Sequence, residues 1–350
     1  MVTGQQHQLI KNIYYMLSYA FSPMRQKDFK EVAGEEFDNI WDLMARILCQ
    51  GLNRQIRRGL VRDYVTHEDS IAVLRGKILM ENSITLKLRR SRKIVCEYDE
   101  YEENILLNQI LRSFGELLMR ERKVTLNNRE RLKQNLSFFH KVEKIDVNTI
   151  PWNRLTFGRR EKEYELLINI CQLISENLIL SEDRGELRLP TFLLDWSFHR
   201  LFEKFVLEYF KSEQPKINAC SKKISWDLNG SERGHLPEML SDIYTQRNDH
   251  TLIIDTKFYS RIMSEHFGKK TFHSHNLYQI FTYVVNEAAN NPNRVDGMLL
   301  YAKTEEDIAP DDLFEINGHT FWIKTLDLNR AFENGDRSIK KQLDGIVELV

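Results

Sequence analysis

The feature that most restricts how this chain can fold is a short aliphatic run that ends in charge: Thr251-Leu252-Ile253-Ile254-Asp255-Thr256-Lys257. Leu252-Ile253-Ile254, bounded by polar residues, predicts a short buried strand. Side chains alternate faces along a strand, so Asp255 and Lys257 project to one side, about 6–7 Å apart along the chain. An Asp242 arriving on the neighbouring strand of a hairpin could meet Asp255 there. Two hard oxygen ligands and one ammonium would then surround one point, a set that suits Mg2+ together with water and a phosphate oxygen. The alternative is a half-exposed ion pair between Asp255 and Lys257 on an edge strand. The chain carries its own control, since Glu121-Arg122-Lys123 has the same acid-x-Lys spacing. It follows Leu117-Leu118-Met119-Arg120 in a helical pattern, and there a solvated helix face is the reading.

The surroundings of Asp255 set a defined order of elements. Asn276 to Val285 has the apolar spacing of an amphipathic helix, and Gln279 and Tyr283, four apart, are neighbours on one face of it. Trp196 to Val206 is a second such helix, with apolar residues at 198, 201, 202, 205 and 206. Gly297-Met298-Leu299-Leu300-Tyr301 reads as a further strand. The expected class is α+β or α/β: a mixed helix and β-hairpin domain over residues 1–180, then an α/β domain over 185–350. The boundary is placed at the polar, glycine-containing stretch Leu180 to Glu186.

In the N-terminal part, Leu9 to Ala20 and Asp38 to Leu52 have helical patterns, and basic residues crowd Arg54 to Arg62. Lys87-Leu88-Arg89-Arg90-Ser91-Arg92-Lys93 turns abruptly into the alternating stretch Ile94 to Glu103. That pattern predicts a hairpin or strand pair with a basic tip and an acidic flank, suited to phosphate or to an acidic partner, or else a solvated loop. From Asn104 the spacing turns helical, with further helices around Arg129–Lys141 and Tyr164–Leu178.

Composition excludes more than it selects. A net charge of −1 provides no global basic field, so any nucleic-acid affinity must be local. No apolar run reaches a membrane-spanning length, and the start lacks the apolar core of a signal peptide. The cysteines (Cys49, Cys96, Cys171, Cys220) are scattered with no Cys-x-x-Cys, which speaks against zinc and disulfides and for a cytoplasmic protein. There is no Gly-x-x-x-x-Gly-Lys-Ser/Thr, Gly-x-Gly-x-x-Gly or His-Glu-x-x-His, so nucleotide hydrolysis by this chain is not expected. His273 and His275, just before the Gln279 helix, could reach phosphate but read more simply as exposed histidines.

The strand–strand–helix order with Gln279-x-x-x-Tyr283 resembles the PD-(D/E)xK nuclease superfamily, especially its RecB-like branch. The chain is similar nearly end to end to the McrC family, the nuclease subunits of McrBC modification-dependent restriction systems. The strings that carry the likeness are Asn12 to Ala20, Arg75-Gly76-Lys77-Ile78, Asp99-Glu100, Asn108, Met239 to Ile243, Ile254 to Tyr259 and His273 to Gln279. Ser241 stands where the superfamily often has proline. The resemblance implies a Mg2+-dependent DNA endonuclease, with Asp242, Asp255 and the carbonyl of Thr256 as metal ligands. It further implies Lys257 orienting the attacking water, and Gln279 and Tyr283 positioning the strand. On the upstream helix it implies a glutamate beside the metal, Glu203 by position with Glu208 in reserve. It also implies a partner, an McrB-like AAA+ GTPase hexamer, and double-stranded DNA carrying modified cytosine as substrate. The N-terminal part would then be a stalk that stimulates the GTPase. Two other readings stay open: a stand-alone RecB-like nuclease, and a non-catalytic DNA-binding adaptor of a GTPase ring.

Overall fold

The computed structural model describes residues 4–20, 37, 39–158, 161–184, 196–228, 234–258, 263–266, 269–303 and 309–350. Contacts divide the chain into two compact units, 44–175 and 1–43 with 176–350. This departs from the 1–180 and 185–350 division in the placement of the first 43 residues. Helix α1 (Gly4–Ala20) is built into the C-terminal unit. Its fully buried Asn12 donates through Nδ2 to the carbonyls of Leu328 and Arg330, at 2.6 and 2.7 Å. Tyr15 stacks on Phe332 with ring centroids 4.3 Å apart. The apolar and aromatic stripe of α1 finds its partner at the far end of the chain, which no local pattern could announce.

The smaller unit begins within α2 (Ile40–Arg58) and continues into β1 (Asp63–Ile71), β2 (Lys77–Ile78), α3 (Met80–Leu88) and β3 (Ile94–Glu102). Helices α4 (Leu106–Arg120), α5 (Leu126–Leu136) and α6 (Lys162–Arg184) follow. Gly51 on α2 allows close approach to α6, because a Cβ there would lie 2.2 Å from Leu167. The expected strand is present over Ile94–Glu102, but its partners lie earlier in the chain: β1 and β3 run antiparallel from Asp63 opposite Glu102 to Ile71 opposite Ile94, with β2 on the other side of β3. The basic cluster is not a hairpin tip, however. It forms the end of α3 and the turn after it, because Met80, Ile84 and Leu88 recur at helical spacing. Gly76 sits at φ +65°, and a Cβ would meet the carbonyl oxygen of Glu97 at 2.3 Å, so the Arg75-Gly76-Lys77 string needs its glycine. The polar stretch at 180 is no break either, since α6 continues to Arg184; residues 185 and 186 lie outside the described part.

The larger unit holds α7 (Trp196–Glu213), β4 (Lys223–Ile224), β5 (Met239–Leu240), β6 (Ile243–Arg247) and β7 (His250–Phe258). Then come β8 (Met263–His266), β9 (Lys269–Phe272), α8 (Ser274–Asn290), β10 (Arg294–Lys303), β11 (Asp312–Ile316), β12 (His319–Asp327) and α9 (Ile339–Val347). Five strands form one sheet in the order β11-β12-β10-β7-β6. Strands β6 and β7 make an antiparallel hairpin, whereas β7, β10 and β12 are parallel. Parallel neighbours need a crossover, and α8 supplies the one between β7 and β10. The two central strands are buried almost throughout, as a parallel core requires. On one face Ile253, Leu299 and Tyr301 pack against Ile280, Tyr283 and Val284 of α8. On the other, Phe198 and Phe202 of α7 pack on Phe258. Gly297 brings α8 close to the sheet, since a Cβ there would lie within 3.0 Å of Val284, Ile280 and Phe321.

Candidate active site

Strand β7 is interior to the sheet, not an edge, and that decides the character of Asp255. Its residue is 1% exposed, and neither carboxylate oxygen accepts an aligned hydrogen bond. Its close cation is Lys257, whose Nζ lies 2.7 Å from Oδ2 with a side chain 13% exposed. The half-exposed edge pair is thereby excluded. Alternation along β7 puts Asp255 and Lys257 on the face that carries Ile253, the face covered by α8.

Asp242 immediately precedes β6. Its Oδ2 accepts from the backbone N–H of Thr256 at 2.7 Å and from the Thr256 hydroxyl at 2.9 Å. The hairpin register, with Ile243 opposite Ile254, brings the start of β6 to the charged end of β7. Burial pushes the Asp255 carboxyl up to about 7, and the neighbouring Asp242 adds to the rise against the opposing pull of Lys257. Burial also raises Asp242, with Thr256 and Lys257 opposing. Two acids that resist ionisation side by side, with few donors to their oxygens beyond Thr256 and Lys257, form an arrangement that a hard cation would relieve.

Helix α8 completes a continuous chain of polar contacts. Lys257 Nζ donates to Gln279 Oε1 at 3.2 Å, and Gln279 Nε2 donates to Tyr283 Oη at 3.1 Å. Gln279 therefore spends its amide on fixing Lys257, a geometry that spacing alone did not reveal. Glu203 faces the same region from α7. Burial raises its carboxyl to about 7, with Asp242 and then Asp255 as further causes. Glu208 is elsewhere engaged, with Lys211 at 2.8 Å, and leaves the site to Glu203. His273 is half-buried and His275 exposed at the start of α8. Among the described residues no three His, Cys, Asp or Glu side chains form a ready-made metal cage.

Two features escaped the reading of the sequence. His199, one turn before Glu203, accepts through Nδ1 from the backbone N–H of Phe258 at 3.3 Å, tying α7 to the end of β7. In the smaller unit the strands, the turn between β1 and β2 and α3 expose large apolar side chains, among them Leu88 at 81%, Val73 at 77% and Tyr64 at 70%. Met80 and Ile84 continue the stripe of Leu88 along α3. In the sequence, the basic residues around them mask this apolar surface.

Fold and site together define an α/β protein with one buried and one half-buried carboxylate and a lysine gathered toward the end of a central strand. The chain belongs to the McrBC 5-methylcytosine restriction system component family, whose model matches residues 3–302. It is 26% identical over 330 residues to the "Type IV methyl-directed restriction enzyme EcoKMcrBC" of Escherichia coli (strain K12), covering 92% of this chain and 93% of the relative. Among solved structures it resembles a chain of the refined half-complex from a tetradecameric assembly of Thermococcus gammatolerans McrB AAA+ hexamers with bound McrC. That match has a TM-score of 0.52 at 17% identity, covering 97% of this chain and 76% of the other. The cryo-EM structure of the Thermococcus gammatolerans McrBC complex matches with a TM-score of 0.42 at 20% identity over 59% of each chain. Among the described residues no helix is long and apolar enough to cross a membrane.

Proposed function

We propose that this chain is the DNA-cleaving subunit of a GTP-dependent, modification-directed restriction complex, with a PD-(D/E)xK site in its C-terminal unit. One observation carries the reading: Asp255 is deeply buried, without an aligned hydrogen bond, beside a second carboxylate and a lysine. Lys257 engages one of its oxygens, and the carboxylate keeps acceptor capacity for a further ligand. The donors fit Mg2+, since they are hard oxygens and too few to enclose the ion without water.

Asp242 and Asp255 would hold the metal, with the Thr256 carbonyl and Glu203 completing the protein's contribution. The bound ion supplies a more acidic water and neutralises charge on the phosphate. Thr256 keeps one Asp242 oxygen engaged and so orients the other. Lys257, a compact ammonium, holds the attacking water and the charge that develops on the phosphate. Gln279 and Tyr283 hold that ammonium in place through their shared hydrogen bonds.

The apolar surface of the strand pair and α3 supports a docking role for the smaller unit, because exposed apolar patches of this kind mark protein interfaces. We assign it to an McrB-like AAA+ GTPase hexamer, on the strength of the family and of the assembly formed by the Thermococcus relatives. The substrate in this reading is double-stranded DNA carrying modified cytosine. The test is cleavage of methylated plasmid by the chain with its GTPase partner, GTP and Mg2+. Asp255→Ala and Lys257→Ala should abolish cutting while the partner's GTP hydrolysis is still stimulated. Cutting at the wild-type rate by either variant would remove the site from the reaction.

A further inference from the structure

Outside the site, one buried charge has no role in the chemistry above. Glu287 on α8 is 6% exposed, and a single oxygen, Oε1, takes three donors. They are Lys222 Nζ at 2.7 Å, Tyr244 Oη at 2.9 Å and Asn291 Nδ2 at 3.1 Å. The Lys222 ammonium also lies 4.2 Å from the centroid of the Tyr244 ring. Glu287 follows Tyr283 by one helical turn and Gln279 by two, so the three share a face of α8. Whatever fixes Glu287 fixes the rotation and axial setting of the residues that hold Lys257.

The other end of this contact leads to Asp242. Lys222 and Ser241 face each other through their backbones and the serine hydroxyl. The Ser241 N–H donates to the Lys222 carbonyl at 3.0 Å. The Ser241 hydroxyl donates to the same carbonyl and accepts from the Lys222 N–H, both at 3.1 Å. Ser221 Oγ donates to the Ser241 carbonyl at 2.7 Å. Ser241 is 1% exposed, and the next residue is Asp242. A proline at 241 would lose the N–H and the hydroxyl together, which accounts for serine at this position in physical terms.

We infer that Ser241, Lys222 and Glu287 form a clamp that sets the distance between Asp242 and the Gln279–Tyr283 face of α8. They are positioning residues, not ligands, and the inference rests on the metal-site reading given above. The clamp joins two pieces of the site that arrive on different elements, the residue before β6 and the inner face of α8. The lysine side chain spans to the helix, while its backbone grips the residue before the carboxylate.

Mn2+ binding to the full-length chain, followed by calorimetric titration, tests the clamp without requiring partner or DNA. Asp255→Ala serves as the control for the metal site itself. Lys222→Met should weaken Mn2+ binding by about tenfold or more, the usual effect of removing a residue that orients metal ligands. Lys222→Arg, which keeps the charge opposite Glu287, should restore most of it. Ser241→Ala, which loses the hydroxyl contacts but keeps the backbone N–H, should weaken binding in the same direction and stands in if Lys222→Met does not fold. Wild-type affinity in Lys222→Met, or in Ser241→Ala, while Asp255→Ala has lost binding, overturns the clamp alone. Wild-type affinity in Asp255→Ala overturns the metal site and the clamp with it.

Discussion

Asp255→Asn should make the metal-free protein more stable at pH 8, although it destroys the site. The Asp255 carboxyl titrates near 7 in the folded chain instead of at the ordinary 3.8. The folded state therefore holds this proton more tightly than the unfolded chain across that window. Stability is greatest below 3.8, falls as pH rises through the window, and levels off above about 7. A rise of about 3 pH units at about 1.4 kcal/mol each amounts to about 4 kcal/mol of destabilisation by the ionised carboxylate. The asparagine removes that cost, but its buried amide lacks partners and returns about 1–3 kcal/mol of it. The net gain is about 1–3 kcal/mol, or a melting temperature higher by about 5 °C for a unit of this size. The assay is thermal unfolding in EDTA from pH 5 to 8, comparing wild type with variant. The difference between them should grow with pH and vanish toward pH 5. Added Mg2+ should stabilise the wild type more than the variant, which lacks one of the proposed carboxylate ligands. A variant that melts below the wild type at pH 8, or a pH-independent difference, would refute the account of Asp255 as a buried acid that Lys257 only partly compensates.

Two further substitutions probe the framework around the site. Gly297→Ala places a methyl group within 3.0 Å of Val284, Ile280 and Phe321. It should cost about 1–3 kcal/mol by overpacking, and push α8 away so that cleavage falls more than stability does, measured by denaturant unfolding beside a cleavage assay. Asn12→Ala should cost about 2–4 kcal/mol in urea unfolding, because the carbonyls of Leu328 and Arg330 lose their buried donor.

The parts of this molecule legible in its sequence are those whose signal is local. Leu252-Ile253-Ile254 read as a strand because a buried parallel strand is a continuous apolar run, and β10 was visible for the same reason. The helices carrying Gln279 and Glu203 declared themselves by spacing, and strand alternation alone put Asp255 and Lys257 on one face. What stayed hidden depends on contacts between distant segments. Asn12 reads as one polar residue in an apolar helix, and only the carbonyls at 328 and 330 give it a purpose. Helix α3 was lost because the charges from Lys87 to Lys93 outweighed the apolar spacing of Met80, Ile84 and Leu88.

Glu287 illustrates the remaining gap most clearly. In sequence it is an ordinary acid on a helix, one turn past Tyr283. Its burial is set by β6, through Tyr244, and by a lysine 65 positions earlier. The residues of the candidate site lie close in sequence because a hairpin and the helix after it bring them together by short connections. Their exact spacing has to be held from outside that segment, since a hairpin fixes Asp242 against Asp255 but leaves the helix free to slide over the sheet. Gly297 sets how near α8 comes, and the Lys222–Glu287 contact sets where along the sheet it stops. The side chains of the candidate site are thus written locally, and their geometry is set by residues that only the folded chain brings into contact with them.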